Sequence, residues 1–342
     1  MDSITIDVFG FSRGAAAARH FVHEITLPSY YTDVNRDRYG RNIDAKYANT
    51  RMPSNGHLGY LLTEEGIEFN HLVIRFAGLY DTVAHHGLVE FNDIKDLGLN
   101  SISKAKHIVH MVAAEEHRAN FSLSPIIKSQ NHIEMYLPGV HSDVGGSYTE
   151  GRPEGIAKGV APDPDDEHVL ATDYCDNAFA SSRLTQFKNT LIDEGWFKAD
   201  QIGIRDAYNK PYKYNSSSSS LYDTQQLVSQ RAYVSNQYSF IALHMMCNFG
   251  IGKGVKFDFK KLTDSKDFKK NIFSEHMTFI NKIKAYLEDY ALKVIANPLD
   301  KIEHEIPKED MRQLRNHYLH YNATVGIVNA PAPERNRGII KY

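Results

Sequence analysis

The chain is poor in the residues that would point to several common classes of protein. Among 342 residues there are two cysteines, Cys175 and Cys247, and a single tryptophan. Two cysteines so far apart form no metal-ligand spacing and no disulfide framework, and they are expected to be two buried thiols. An excess of positive charge is missing too. Lys and Arg number 39 against 42 Asp and Glu, for a formal net charge of -3. With no basic stripe interleaved with aromatics, nucleic acid is not an expected partner. The N-terminus has no basic-then-apolar leader, since Asp2 and Asp7 flank a short apolar run, so no signal peptide is read there. The longest apolar stretch, Phe240 to Gly252, is interrupted by His244 and Asn248 and is too short to span a bilayer, so no transmembrane segment is expected. Seventeen histidines invite a metal reading, yet none sits in a His-Glu-x-x-His pattern. His20 with His23, His107 with His110 and the pair His85-His86 are close in sequence without making a ligand set, and no metal and no cofactor is expected.

What the chain does have is Gly10-Phe11-Ser12-Arg13-Gly14, set between Ile4-Thr5-Ile6-Asp7-Val8-Phe9 and Ala15-Ala16-Ala17-Ala18-Arg19-His20-Phe21-Val22. A β-branched apolar run, a Gly-flanked serine and then strong helix formers predict strand, sharp turn and helix, the setting of a nucleophile elbow. Gly10 and Gly14 let the backbone turn. Ser12 would sit at a helix N-terminus, where backbone N–H groups, that of Arg13 first, can stabilise an oxyanion.

Further along, Leu72-Val73-Ile74-Arg75-Phe76-Ala77 predicts a buried strand leading to Asp81, and Ile133-Glu134-Met135-Tyr136-Leu137 a second leading to His141 and Asp143. Residues 103–121 read as a helix on the spacing of Ile108, Met111, Val112 and Ala119. Strand-plus-helix units in succession predict an α/β fold with a mostly parallel sheet and flanking helices. Ligands of such sheets bind beyond the carboxyl ends of the strands, so Ser12, Asp81 and His141 can converge there. Their order, Ser then Asp then His, is that of an α/β hydrolase. A serine hydroxyl needs a neighbouring imidazole to take its proton, and a buried carboxylate to orient that imidazole. The alternatives are a turn or capping role for Asp81, a loop histidine at 141, and Asp143 as the carboxylate. Asp143 stands two residues from His141, which favours an orienting or backbone-bonding role.

Residues 149–176, rich in Gly, Pro and Asp, predict a long loop, residues 178–197 a helix, and Asn215 to Ser220 a flexible polar tract. Residues 271–296 give the clearest amphipathic helix, stopped by Asn297-Pro298. The organisation expected is a catalytic core over 1–148, a loop-rich and helical insertion over 149–235 that could form a lid or membrane-facing module, and a helical part over 236–342 completing the hydrolase domain.

The runs IDVFGFSRGAAAARHF, RFAGLYDTVA and YLPGVHSDVGGSY resemble three signature blocks of the first class of type VI secretion lipase effectors, which are α/β-hydrolase phospholipases. The segments from Tyr233 to Met246 and from Arg315 to Asn322 are similar to later blocks of that family. The resemblance implies Ser12 as nucleophile, Asp81 as acid and His141 as base. It also implies a membrane phospholipid substrate, a spike protein of the VgrG kind and a cognate immunity protein as partners. Synthesis in the bacterial cytoplasm and delivery into a target-cell periplasm follow from it. Family members carry strands before the nucleophile, with an Asp-Gly-Thr block that helps build the oxyanion hole, and this chain shows no such block. It reads like the C-terminal part of a family member, with N-terminal strands missing and an open flank beside the nucleophile strand. The alternatives to a phospholipase are therefore a catalytically impaired fragment acting as a binding or assembly piece, and a serine esterase of small soluble esters.

Overall fold

The computed structural model describes residues 2–31, 50–84, 93–150, 168–174, 178–207, 224–258, 278–324, 331, 337 and 339. The principal sheet has four parallel strands in the order β1 (Ser3–Phe11), β4 (His71–Tyr80), β5 (His107–Ala113), β6 (His132–Leu137). Strand β1 pairs with β4 along its whole length, Ser3 opposite His71 and Phe11 opposite Tyr80, and stands at one edge of the sheet among the described residues. Two short strands, β2 (Tyr30–Tyr31) and β3 (Arg51–Met52), pair antiparallel in the excursion between β1 and β4.

Both faces of the sheet are covered, as near-continuous apolar strands require. On one face Val8, Ile74, Ala77, Leu79 and Ile108 pack with Ala15, Val22 and Ile25 of helix α1 (Arg13–Ile25). On the other, Phe76, Val109, Met111 and Met135 meet helix α6 (Tyr238–Gly252) through Ile241, Ala242 and Met245, and helix α7 (Thr278–Ala296) through Ile280, Ile283 and Leu287. This second core continues without a break into a three-stranded antiparallel sheet, β7 (His168–Tyr174), β9 (Thr224–Ser229) and β8 (Ile202–Ala207), by way of Leu170, Leu227 and Ile202. Helix α5 (Ala178–Asp193) adds Leu184 and Leu191 to it. Helix α8 (Lys308–Tyr318) adds Leu314 and delivers Leu319 and Tyr321 just beyond its end.

Two expectations are corrected here. Within residues 103–121, His107–Ala113 is strand β5, not helix. The run HIVHMVA is buried from end to end except for partly exposed His107. A strand covered on both faces does not alternate, so its apolar positions can fall at helical spacing by accident. Within residues 149–176, His168–Tyr174 forms β7, paired with β9 from His168 to Tyr174. The tract 215–220, the pair His85-His86, the start of the predicted 271–296 helix and Cys175 lie outside the described residues. Cys247 is a free, buried thiol. No helix among the described residues is long and apolar enough to cross a membrane.

Candidate active site

The parallel topology brings the ends of β1, β4 and β6 to the same rim of the sheet. Ser12 follows β1 directly and caps helix α1 with φ 58° and ψ -126°. A non-glycine residue in this region is strained, and such strain persists where the surroundings over-determine it. Here the Ser12 N–H donates to the Tyr80 carbonyl at 3.0 Å, and the Ser12 carbonyl accepts from Ala15 and Ala16 at 3.0 and 3.2 Å. The turn works only because Gly10 has no side chain: a Cβ there would lie 2.4 Å from the Gly14 carbonyl oxygen. A Cβ on Gly14 would meet no atom within 4 Å. Gly10→Ala is therefore expected to lower the melting temperature by several degrees, at a cost of about 1–3 kcal/mol for overpacking. Gly14→Ala should leave it unchanged or raise it, since alanine suits a first helical turn. Thermal melts of the two variants check the contrast. Below the turn, buried Arg19 donates to the carbonyls of Leu99, Ser124 and Pro125, tying α1 to the loops behind the site.

Asp81 lies one residue past β4, next in register to Ser12, and it too has a positive φ, 43°. Its N–H donates to Met111 O at 2.7 Å, and the next residue is held as firmly. Thr82 N–H donates to His110 Nε2 at 3.1 Å, which makes Nδ1 of that imidazole the donor to Glu134 Oε2 at 2.9 Å. The Asp81 side chain is fully buried and receives four donors. His141 Nδ1 lies 2.6 Å from Oδ2, Ala113 N–H 2.9 Å from Oδ1, and the Arg337 guanidinium reaches both oxygens, Nη1 at 2.5 Å and Nη2 at 2.9 Å. Burial alone would push this carboxyl up. The Arg337 charge and the bonds from His141 and Arg337 outweigh it and hold the group well below the usual carboxylate range.

His141 opens the short helix α4 (His141–Gly145) at the end of β6. An ionised carboxylate can only accept, so Nδ1 is the donor to Asp81 and Nε2 is left as an acceptor. The imidazole is buried against Phe11 (centroids 4.5 Å apart) and edge-on to Phe121 (5.0 Å), and its backbone N–H donates to Glu116 Oε2 at 3.1 Å. Phe11 immediately precedes Ser12, so the elbow and the imidazole share a wall. Among the described residues no hydrogen bond joins the Ser12 hydroxyl to His141.

Among the described residues no hydrogen bond joins the Asp143 side chain to His141. Its Oδ1 is 2.7 Å from His320 Nδ1, and its Oδ2 accepts from the N–H groups of Val140 and His320 at 3.1 and 3.0 Å. It fastens the start of α4 to the segment after α8. Glu116 does the same from the other side, binding Arg118 and Asn322 besides the His141 N–H. The block from Arg315 to Asn322 thus frames α4. Sequence reasoning passed over Arg337 and Glu116, because an arginine 256 positions from the aspartate it binds leaves no local pattern. A cleft of about 380 Å³ adjoins the elbow, lined by apolar Phe9, Phe11, Tyr80, Val144, Phe240 and Leu243 and by small Gly10, Gly145, Gly146 and Ser239. Among the described residues no group of three or more metal-ligating side chains is positioned to hold a metal ion.

No curated protein matches this chain in sequence. Its fold is similar to that in the "Structure of the Tle1 effector bound to the VgrG spike from the Type 6 secretion system", with TM-score 0.59 and 19% identity over 99% of this chain and 67% of that one. Residues 2–161, which carry the elbow, Asp81 and His141, match the family described as "T6SS, Phospholipase effector Tle1-like, catalytic domain". Over that segment, a little under half of the chain, the sequence is similar to the catalytic domain of the Tle1-like phospholipase effectors of the type VI secretion system.

Proposed function

We propose that the chain hydrolyses carboxylic esters of membrane phospholipid through an acyl-enzyme on Ser12, with His141 as general base and Asp81 as its orienting acid. The observation that carries this reading is the buried His141–Asp81 bond of 2.6 Å beside a strained serine elbow. In the first step His141 Nε2 takes the Ser12 proton as Oγ bonds to the ester carbonyl carbon. The oxyanion so formed faces the N–H of Arg13 and the positive end of α1. The imidazolium then gives its proton to the departing alcohol, and water repeats the sequence to release the fatty acid. The apolar cleft beside Phe11 suits an acyl chain better than a polar substrate. Delivery by a type VI apparatus, in company with a VgrG-like spike protein, into the periplasm of a rival bacterium belongs to the same proposal. So does a cognate immunity protein in the producing cell. The family that residues 2–161 match supports delivery by a type VI system, and a VgrG spike is the partner named for the similar Tle1 structure.

A fluorophosphonate probe should label Ser12, as Oγ displaces fluoride from phosphorus, and phospholipid vesicles should release fatty acid. Turnover of a short-chain phospholipid should rise sharply when the substrate passes from monomers to micelles. Labelling with equal rates on monomers and micelles would favour an esterase of small soluble esters. Absence of both labelling and fatty-acid release would overturn the hydrolase reading.

A further inference from the structure

The proposed mechanism leaves unused Arg337, whose side chain binds the Asp81 carboxylate directly. It reaches the site between two contacts of its own segment with the β5–β6 connection: Pro331 bridges Arg118, and Ile339 bridges Leu123. Its side chain is 9% exposed, and the guanidinium engages on two sides. One edge forks onto both Asp81 oxygens, while Nε donates to the Phe121 carbonyl at 2.6 Å and Nη1 also approaches the Ala113 carbonyl at 3.3 Å. Phe121 is the ring that stands edge-on to His141. One cation therefore fixes the carboxylate and the aromatic wall on either side of the same imidazole.

Stability is a poor explanation for this arrangement. Asp81 already has the Ala113 N–H and His141 as partners, and a buried ion pair seldom repays the desolvation of its two charges. The pair has a definite effect on chemistry, however. A planar fork binding both oxygens holds the carboxylate in one orientation, which a point charge cannot do. Its positive charge also stands beside the place where the imidazolium must form, and opposes it. We infer that Arg337 is a positioning residue for the Asp81–His141 dyad: its fork holds the acid in one orientation against the imidazole and sets a fixed positive charge beside the group that takes the Ser12 proton.

Among the described residues, the charged groups near the dyad have partners of their own. Glu116, facing His141 from the β5–β6 connection, is bound by Arg118 and Asn322. Asp143 of α4 is bound by His320. On the far side of Thr82, His110 of β5 is bound by Glu134, which Tyr136 also donates to. Replacing Arg337 with a neutral residue removes the positive charge that lies directly against Asp81.

This inference rests on the proposed roles of Asp81 and His141. It is tested by the pH profile of kcat/KM for the full chain and its Arg337→Gln and Arg337→Lys variants, with fluorophosphonate labelling of each. For Arg337→Gln the acid limb should move up by about one pH unit, because the imidazolium then has the carboxylate to itself. Arg337→Lys keeps the charge and loses the fork, so its limb should stay near that of the unsubstituted chain while kcat falls about tenfold. A limb for Arg337→Gln that overlays that of the unsubstituted chain, or moves down, overturns the inference. So does loss of the fold in both variants by circular dichroism, which would make the role structural. An unsubstituted chain that neither labels nor turns over would instead remove the reading of Asp81 and His141 itself.

Discussion

Replacing Ser12 with alanine is expected to abolish phospholipid turnover to within the background rate, a fall of ~10⁴-fold or more, with the melting temperature unchanged. The energetic argument is local. Serine and alanine share the Cβ that the strained φ of 58° must accommodate, and the Ser12 side chain makes no capping bond to α1 that alanine would forfeit. What holds the elbow is backbone: the Ser12 N–H on Tyr80 O and the Ser12 carbonyl under Ala15 and Ala16. Alanine keeps all three. Without Oγ, no acyl-enzyme can form and a fluorophosphonate has no atom to attach to. Turnover, circular dichroism and labelling on one preparation decide the matter. A well-folded Ser12→Ala protein that still releases fatty acid at a comparable rate would mean that the nucleophile lies elsewhere.

The elbow was readable because its physics is local. A β-branched run, a glycine that must lack Cβ and a tetrad of alanines appear side by side, and β1 and α1 form where they stand. Strands β4 and β6 announced themselves as short apolar runs ending at polar residues. Strand β5 did not, because burial on both faces removes the alternation that marks a strand. The pairing of His141 with Asp81 rather than with Asp143 was legible in part. Two residues at the start of one short helix cannot easily turn their side chains on each other, while strand ends from neighbouring β–α units converge. The shell that holds the dyad was not legible. Glu116, His320, Asn322 and Arg337 come from segments as much as 256 residues away, and tertiary contact alone brings them in.

Asp81→Asn should also lower turnover by about 10⁴-fold, and for a different reason. An amide in place of the carboxylate can present its NH₂ to His141 Nδ1, which selects the wrong tautomer and leaves Nε2 protonated when it must accept. This variant carries a stability cost that Ser12→Ala lacks. Arg337 loses its counter-charge while still buried, and removing one partner of a buried pair costs ~3–5 kcal/mol. The cost depends on pH in a fixed direction. Asp81 titrates below its unfolded value of about 3.9, so its contribution is fully present above that pH and fades as the pH falls through the folded value. The gap in melting temperature between the unsubstituted chain and Asp81→Asn should therefore be widest at neutral pH and close on acidification. His141→Ala provides the matching control, since it removes the base and leaves the Asp81–Arg337 fork in place; its turnover should fall as far with a smaller loss of stability. Asp143→Asn should behave in the opposite way. It disturbs the bonds to Val140 and His320, costs ~1–3 kcal/mol, and lowers turnover of the folded fraction by less than tenfold. Melts from pH 3 to 8, with kcat corrected for the folded fraction, distinguish the two aspartates. If Asp143→Asn proves the more damaging to kcat, the acid of the dyad has been assigned to the wrong residue.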